Sequence, residues 1–356
     1  MQELNERCKA VLAEIICDYI VTAEPVGSRT IAKKHFEPLS AATIRNVMSE
    51  LEDMGFLQQP HTSAGRIPTD KGYRYFVDQI LCTSEFNTNA PAIFPPIGEN
   101  SEQSLENVLE TACAILSKAS NQTGLVMLPS FSNMLFKYIE FIKVGKFETL
   151  AIFISEMGTI QNKVIRTDEN INQEKLTTFS NYLNLEFSNK SIKWIHREVN
   201  RRIQNEKEHY DQLMNKALEL WTKTFSDKDK VNDSGLLVDG ITNFFDQPEF
   251  SFNLEKMKAL FKAVEEKTKL IKLLDQCLEH DGMTILIGKE NEDEEMQECS
   301  LIAQNYGTDI EKMGTMAIFG AKRMDYGKMI NIVNHTAQTV SQLLSARKKG
   351  VGTIAR

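Results

Sequence analysis

No CxxC pair, no HExxH, no GxSxG and no Walker-type glycine loop occurs in the 356 residues. Those patterns build a redox dithiol, a zinc site, a nucleophile elbow or a phosphate cradle. Their absence removes the commonest routes to catalysis, so a regulator is expected before an enzyme, with no cofactor and no metal. The six cysteines, Cys8, Cys17, Cys82, Cys113, Cys277 and Cys299, are scattered. With no histidine at zinc-finger spacing, they read as free thiols in a reducing compartment. Long hydrophobic runs are missing too. The apolar stretch 150–154 is strand-sized, far short of a membrane span, and no secretory leader is legible, so a cytoplasmic protein without a membrane partner is expected. Nor is there an excess of cations: 41 Lys and Arg stand against 49 Asp and Glu, a net charge of −8. Non-specific affinity for a polyanion is then modest, and any nucleic-acid contact must be a local patch.

What is present is most legible at 25–78. Leu4, Val11, Leu12, Ile15, Ile16, Tyr19 and Ile20 recur at helical spacing. Pro25 and Gly27 end that helix, and Ser28 can cap a short second one. Pro38 breaks the second helix, and Ser40 is a good N-cap for a third over 41–54. On the third, Ile44, Val47, Met48 and Leu51 make the core stripe. The opposite face holds Ala42, Arg45, Asn46 and Ser49, with Thr43 on its flank. Asn pairs bidentately with adenine, and Arg with guanine or phosphate, so Thr43, Arg45, Asn46 and Ser49 are the candidates for base readout. Glu50, Glu52 and Asp53 crowd the C-terminal turns and repel phosphate, which leaves the reading to the N-terminal half.

Gly55 stops the helix. A short strand, 56–59, a Gly/Pro-rich tip and a return at Ile67-Pro68 make a wing, followed by a helix over 70–80. Helix, helix, capped helix and ribbon is the order of a winged helix-turn-helix. Arg29, Lys33, Ser40, His61, Arg66, Lys71 and Arg74 are the candidates for phosphate contact. Residues 1–80 hold nine Lys or Arg and eleven Asp or Glu, but 27–45 holds Arg29, Lys33, Lys34 and Arg45 against Glu37 alone. A protein-docking winged helix is the competing reading of the same topology.

The strings EPVGSRTIAKKH, LSAATIRNVMSELEDMGFLQQPHTSAGRIPTDKGYRYFVD and FGAKRMDYGKMINIVNHTAQTVSQLL resemble the HrcA family, bacterial heat-inducible transcription repressors. The resemblance is strong at both ends and weak between. It implies a homodimer that binds double-stranded DNA at the CIRCE inverted repeat upstream of class I heat-shock (chaperone) operons. It also implies derepression on heat stress and an active state that depends on a GroEL-type chaperonin. The fold it implies is a winged helix, a GAF-like domain and an inserted dimerisation domain. Lys322 departs from the apolar, Gly-rich pattern of the family at that point. A metabolite-responsive regulator, with the GAF-like domain as a sensor, is the alternative.

A chain of this length exceeds one comfortable core. The expected class is α+β and multidomain, and the expected division is 1–82 winged helix, 83–103 linker, 104–165 first part of the GAF-like domain, 166–245 inserted dimerising segment, 246–346 second part, and 347–356 basic tail. Strands are expected at 124–128, 138–144, 149–155 and 161–166, a run read as an antiparallel meander with one wet face. Helices are expected at 104–119 and 174–185, with one or two charged helices over 192–225. Tyr210, Leu213, Met214, Ala217 and Trp221 form a narrow stripe suited to core or to the dimer contact. One long amphipathic helix is expected over 254–278, strands at 284–287, 299–304 and 315–319, and a closing helix over 326–344 capped by Asp325. The acidic run 290–295 lacks the ligand order of a calcium loop and reads as a solvated hairpin tip. Gly314 and Gly320 do not make a dinucleotide fingerprint, and His280-Asp281 has no nucleophile beside it.

Overall fold

Residues 4–34, 40–61, 64–83, 105–129, 134–156, 159–205, 212–224, 235–251, 254–308 and 312–351 are described by a computed structural model. Asn5 starts the first helix by accepting the Cys8 amide at 2.8 Å, and Ala23 ends it in the left-handed region, φ 57°. The head comprises α1 (Glu6–Thr22), α2 (Ser28–Lys34), α3 (Ala41–Asp53), β1 (Leu57–Gln58), β2 (Ile67–Pro68) and α4 (Asp70–Thr83). Strands β1 and β2 form an antiparallel ribbon. The apolar stripes predicted for the first and third helices meet: Val11, Leu12, Ile15 and Ile16 are buried with Ile44, Val47, Met48 and Leu51, and α4 adds Tyr73 and Val77. The expected linker, 83–103, lies outside the described residues apart from Thr83, which closes α4.

The body is a five-stranded antiparallel sheet between helices. It uses α5 (Leu105–Ser120) and β3 (Thr123–Met127), and its sheet runs in the order β7-β3-β10-β9-β8. These further strands are β7 (Leu236–Asp239), β8 (Met283–Ile287), β9 (Cys299–Gly307) and β10 (Lys312–Ala321). Alternation sets the two faces. Val126, Ile302, Met316 and Ile318 face α5 and the closing helix α12 (Tyr326–Val351). Leu125, Leu301, Ala317 and Phe319 face α9 (Pro248–Ser251), α10 (Leu254–Glu265) and α11 (Lys267–Glu279). Asp325 caps α12 as expected, its Oδ1 accepting the Lys328 amide at 3.0 Å.

Between β3 and β7 stands a third packing unit with its own sheet. It holds β4 (Phe136–Lys143), β5 (Glu148–Ser155), β6 (Ile160–Arg166), α6 (Gln173–Phe187), α7 (Ile192–Asn205) and α8 (Gln212–Thr224). Phe136, Phe141, Phe153, Phe179, Phe187 and Trp221 fill its core. A fully buried side chain of this size stabilises by roughly 2–3 kcal/mol.

Several expectations are corrected here. Of the meander, assigned to 104–165 of the body, the last three strands pair only with one another and pack on α6–α8. Conversely β7, assigned to the 166–245 segment, pairs with β3 in the main sheet. Periodicity marks a strand but not its pairing partner, so the seam was misplaced. Of the expected stripe, Ala217 and Trp221 on α8 are fully buried inside their own unit, while Tyr210 and the side chains of Leu213 and Met214 lie outside what is described. The expected long helix is two helices, because Glu266 turns the backbone to ψ 67°. Helix α12 continues to Val351, so the first half of the basic tail is helical. The acidic run is no free tip: Asp293 and Glu295 hold Lys269 at 2.9 and 2.7 Å.

Candidate nucleic-acid interface

Helix α3 is built from its cap. The Ser40 hydroxyl accepts the Thr43 amide at 3.1 Å and lies 2.9 Å from the Thr43 hydroxyl. Ser40 and Thr43 are therefore first of all a local pair that fixes where the helix starts. Ile44, Val47, Met48 and Leu51 anchor one face in the head core. The opposite face, Ala42, Arg45, Asn46 and Ser49, is exposed, and Thr43 on its flank is half-buried. On the neighbouring α2, Arg29 and Lys33 are exposed as well. One helix thus presents a short polar face with a small residue at its centre, next to two solvent-facing cations. Close approach and edge-on hydrogen bonding to bases need this combination.

The rest of the candidate phosphate set divides. His61 is exposed at the ribbon tip, where its carbonyl accepts the Ala64 amide at 2.9 Å. Lys71 is exposed, but its ammonium donates to the Met54 carbonyl at 2.8 Å and sits 4.4 Å from the Phe56 ring centroid. It closes the carbonyl end of α3, where a cation meets the negative pole of the helix. Arg66 pairs with Glu52 at 2.7 Å.

Arg74 points away from the open helix face. Its guanidinium donates to the Ile285 carbonyl at 2.6 Å and to the Glu290 carboxylate, with Asp78 at 3.5 Å. Burial weakens the cation, but the Glu290 and Asp78 carboxylates outweigh it and leave its pKa above the ordinary value. The sequence reading placed Arg74 on the phosphate edge; the structure puts it in the seam between head and body. Helical spacing from Lys71 gives no hint of a partner more than 200 positions away.

Other groups complete that seam. Lys322 reaches Asp70 at 3.0 Å, and Asp70 accepts the Lys289 amide at 3.1 Å. Arg323 donates to the Ile20 carbonyl and to Glu249. The Tyr73 and Tyr326 rings meet at a tilt of 48° with centroids 5.7 Å apart. Lys322 is thus one half of an ion pair that spans the seam. Arg74→Ala leaves Glu290 without its guanidinium and the Ile285 carbonyl without a donor, a cost of about 2 kcal/mol. Calorimetry is expected to show the main transition lowered by several degrees or split in two.

No helix among the described residues is long and apolar enough to cross a membrane, and no cluster of metal-ligating side chains is found among them.

A helical head with an open polar helix face, set on an α+β body, is an arrangement that suits a DNA-binding transcription regulator. The family model "HrcA protein C terminal domain" matches residues 106–330. The chain is 40% identical over 346 residues to the heat-inducible transcription repressor HrcA of Geobacter sulfurreducens, covering 97% of this chain and 99% of the relative. It is 36% identical to that of Syntrophobacter fumaroxidans over 345 residues, with 97% and 98% covered. A solved crystal structure of a hypothetical protein shares the fold, with a TM-score of 0.64 at 23% identity over 97% of this chain and all of that one. The chain belongs to the HrcA family of heat-inducible transcription repressors.

Proposed function

We propose that the head is a winged helix-turn-helix, that α3 is its recognition helix, and that two copies of the chain read the two halves of a CIRCE-type inverted repeat. The observation that carries this is the exposed row Ala42, Arg45, Asn46 and Ser49, on a helix whose other face is fully committed to the core. Arg45 and Asn46 supply the bidentate base contacts, with Thr43 and Ser49 beside them. Arg29, Lys33 and His61 hold phosphate, and Ser40 frames the helix end that enters the groove. Repression follows from occupying the operator of chaperone genes.

An inverted repeat calls for a two-fold dimer. The unit between β3 and β7 supports one, because among the described residues its sheet is covered on one face only. Cross-strand rows Tyr138–Ile154–Ile160 and Ile142–Leu150–Val164 lie on the other face. Tyr138, Ile160 and Val164 are exposed there, at 40%, 65% and 58%. The row between them is Glu140–Ile152–Asn162, so the face is apolar on either side of a polar centre; such a face suits an association site, and a second copy of it is self-complementary across a two-fold axis. The body is a GAF-like domain carrying this dimerising insert. The chaperonin dependence that the family resemblance implies belongs to the same proposal.

The test is binding of the purified chain to the inverted repeat and to a scrambled duplex over a salt series. Preference for the repeat at every salt concentration is the expected result. Equal, weak binding to both, with the same salt slope, leaves phosphate contact alone and overturns the operator reading.

A further inference from the structure

The ribbon is held at fixed points to the rest of the head. The Arg66 amide donates to the Val26 carbonyl and its carbonyl accepts the Val26 amide, both at 2.9 Å. The loop before α2 thereby becomes a third strand of the wing at a single position. Gly65 makes this approach possible, since a Cβ there would stand 2.4 Å from the Val26 carbonyl oxygen. The Gln59 amide closes the tip on the Ala64 carbonyl at 3.0 Å. The remaining tie is ionic: Arg66 meets Glu52 of α3 at 2.7 Å, with side chains only 19% and 31% exposed. A cation this far covered and already paired is poorly placed to neutralise phosphate. Among the described residues, Glu52 in turn is the acidic group in the last turns of α3 that the ribbon gives a cationic partner.

We propose that Glu52 and Arg66 are a positioning pair, which sets the angle between recognition helix and wing and so determines operator specificity without either residue touching DNA. This rests on the DNA-binding reading above and adds to it a role for a carboxylate that electrostatics alone marks as unfavourable. The pair acts through geometry: with α3 in the major groove, wing contacts to the flanking backbone fix the register and orientation of the helix that reads bases. Losing either partner leaves the other charged and half-covered, and frees the ribbon on that side.

Four forms of the full chain test this: wild type, Glu52→Gln, Arg66→Ala, and the exchange Glu52→Arg with Arg66→Glu. Each is titrated with the inverted repeat and the scrambled duplex over a salt series, and amide hydrogen exchange is followed at Val26 and Arg66. Both single variants are expected to lower preference for the repeat on the order of tenfold. The salt slope stays unchanged and both amides exchange faster. The charge exchange recovers preference and slow exchange together. The opposite pattern overturns the proposal: Glu52→Gln tightens binding to both duplexes, Arg66→Ala flattens the salt slope by about one unit per head, and the charge exchange binds worst of all. If the wild-type chain ignores the repeat, the operator reading fails by itself. Amide exchange then decides the pair, because unaltered exchange at Val26 in Arg66→Ala rules out any brace between helix and wing.

Discussion

Asn46→Ala and Arg45→Ala are each expected to remove most of the discrimination between the inverted repeat and a scrambled duplex. Both side chains are exposed on α3 and far from the head core, so folding should be untouched. Each bidentate contact is worth about 1–3 kcal/mol of discrimination, or roughly 5- to 150-fold. A two-headed complex loses that contact twice. The signature separates base readers from backbone contacts. The two alanine variants should keep the wild-type affinity for scrambled DNA, whereas Lys33→Ala should weaken both duplexes alike and flatten the salt slope by about one unit per head. Fluorescence anisotropy with labelled duplexes reads both quantities. Uniform weakening by Asn46→Ala would move α3 out of the groove and favour the wing, or a protein partner, as the contact.

The second large effect concerns the dimer. Ile160→Asp with Val164→Asp puts two carboxylates on the open face of β6, where the native side chains are 65% and 58% exposed in the single chain. Water solvates the new charges in the monomer, so the unit should fold, but two copies cannot bury them face to face. Sedimentation should change from dimer to monomer. Operator affinity should fall by about 10²–10⁴-fold, the factor lost when the second head no longer binds at high effective concentration. A variant that stays dimeric and binds normally would assign the dimer to another surface.

The head was the most legible part of the sequence. Its signals are local: the Ser40 cap, the stripe at Ile44, Val47, Met48 and Leu51, and a stop at Gly55, whose φ is +78°. Each depends on neighbours within a turn or two, and each stands where periodicity puts it. The strands of the insert were equally legible, down to the meander, because alternation is local as well. Their partners were not. Whether β4–β6 extend the main sheet or build a second one is decided by long-range packing of Phe136, Phe141 and Phe153 against Phe187 and Trp221. Nothing in the period of a strand encodes that choice.

Within the candidate interface the same divide holds. Arg45 and Asn46 were identified by helix phase, which the structure preserves. Arg66, Lys71 and Arg74 were identified by charge, and charge does not reveal a partner. Glu52 lies 14 positions from Arg66, the Met54 carbonyl 17 from Lys71, and Glu290 216 from Arg74. The pairs Arg74–Glu290 and Asp70–Lys322 also weld the head to the body, so the direction in which α3 points belongs to the whole chain and not to the head alone.

The most direct measurement of the central claim is the affinity of the wild-type chain for the intact inverted repeat against one with about 5 bp added between its halves, roughly half a helical turn. A dimer whose heads are fixed on their bodies should lose most of its affinity when the second half-site rotates to the far side of the duplex, and regain part of it when about 10 bp restore the phase. Equal affinity for all three spacings would contradict a two-fold reader with oriented heads.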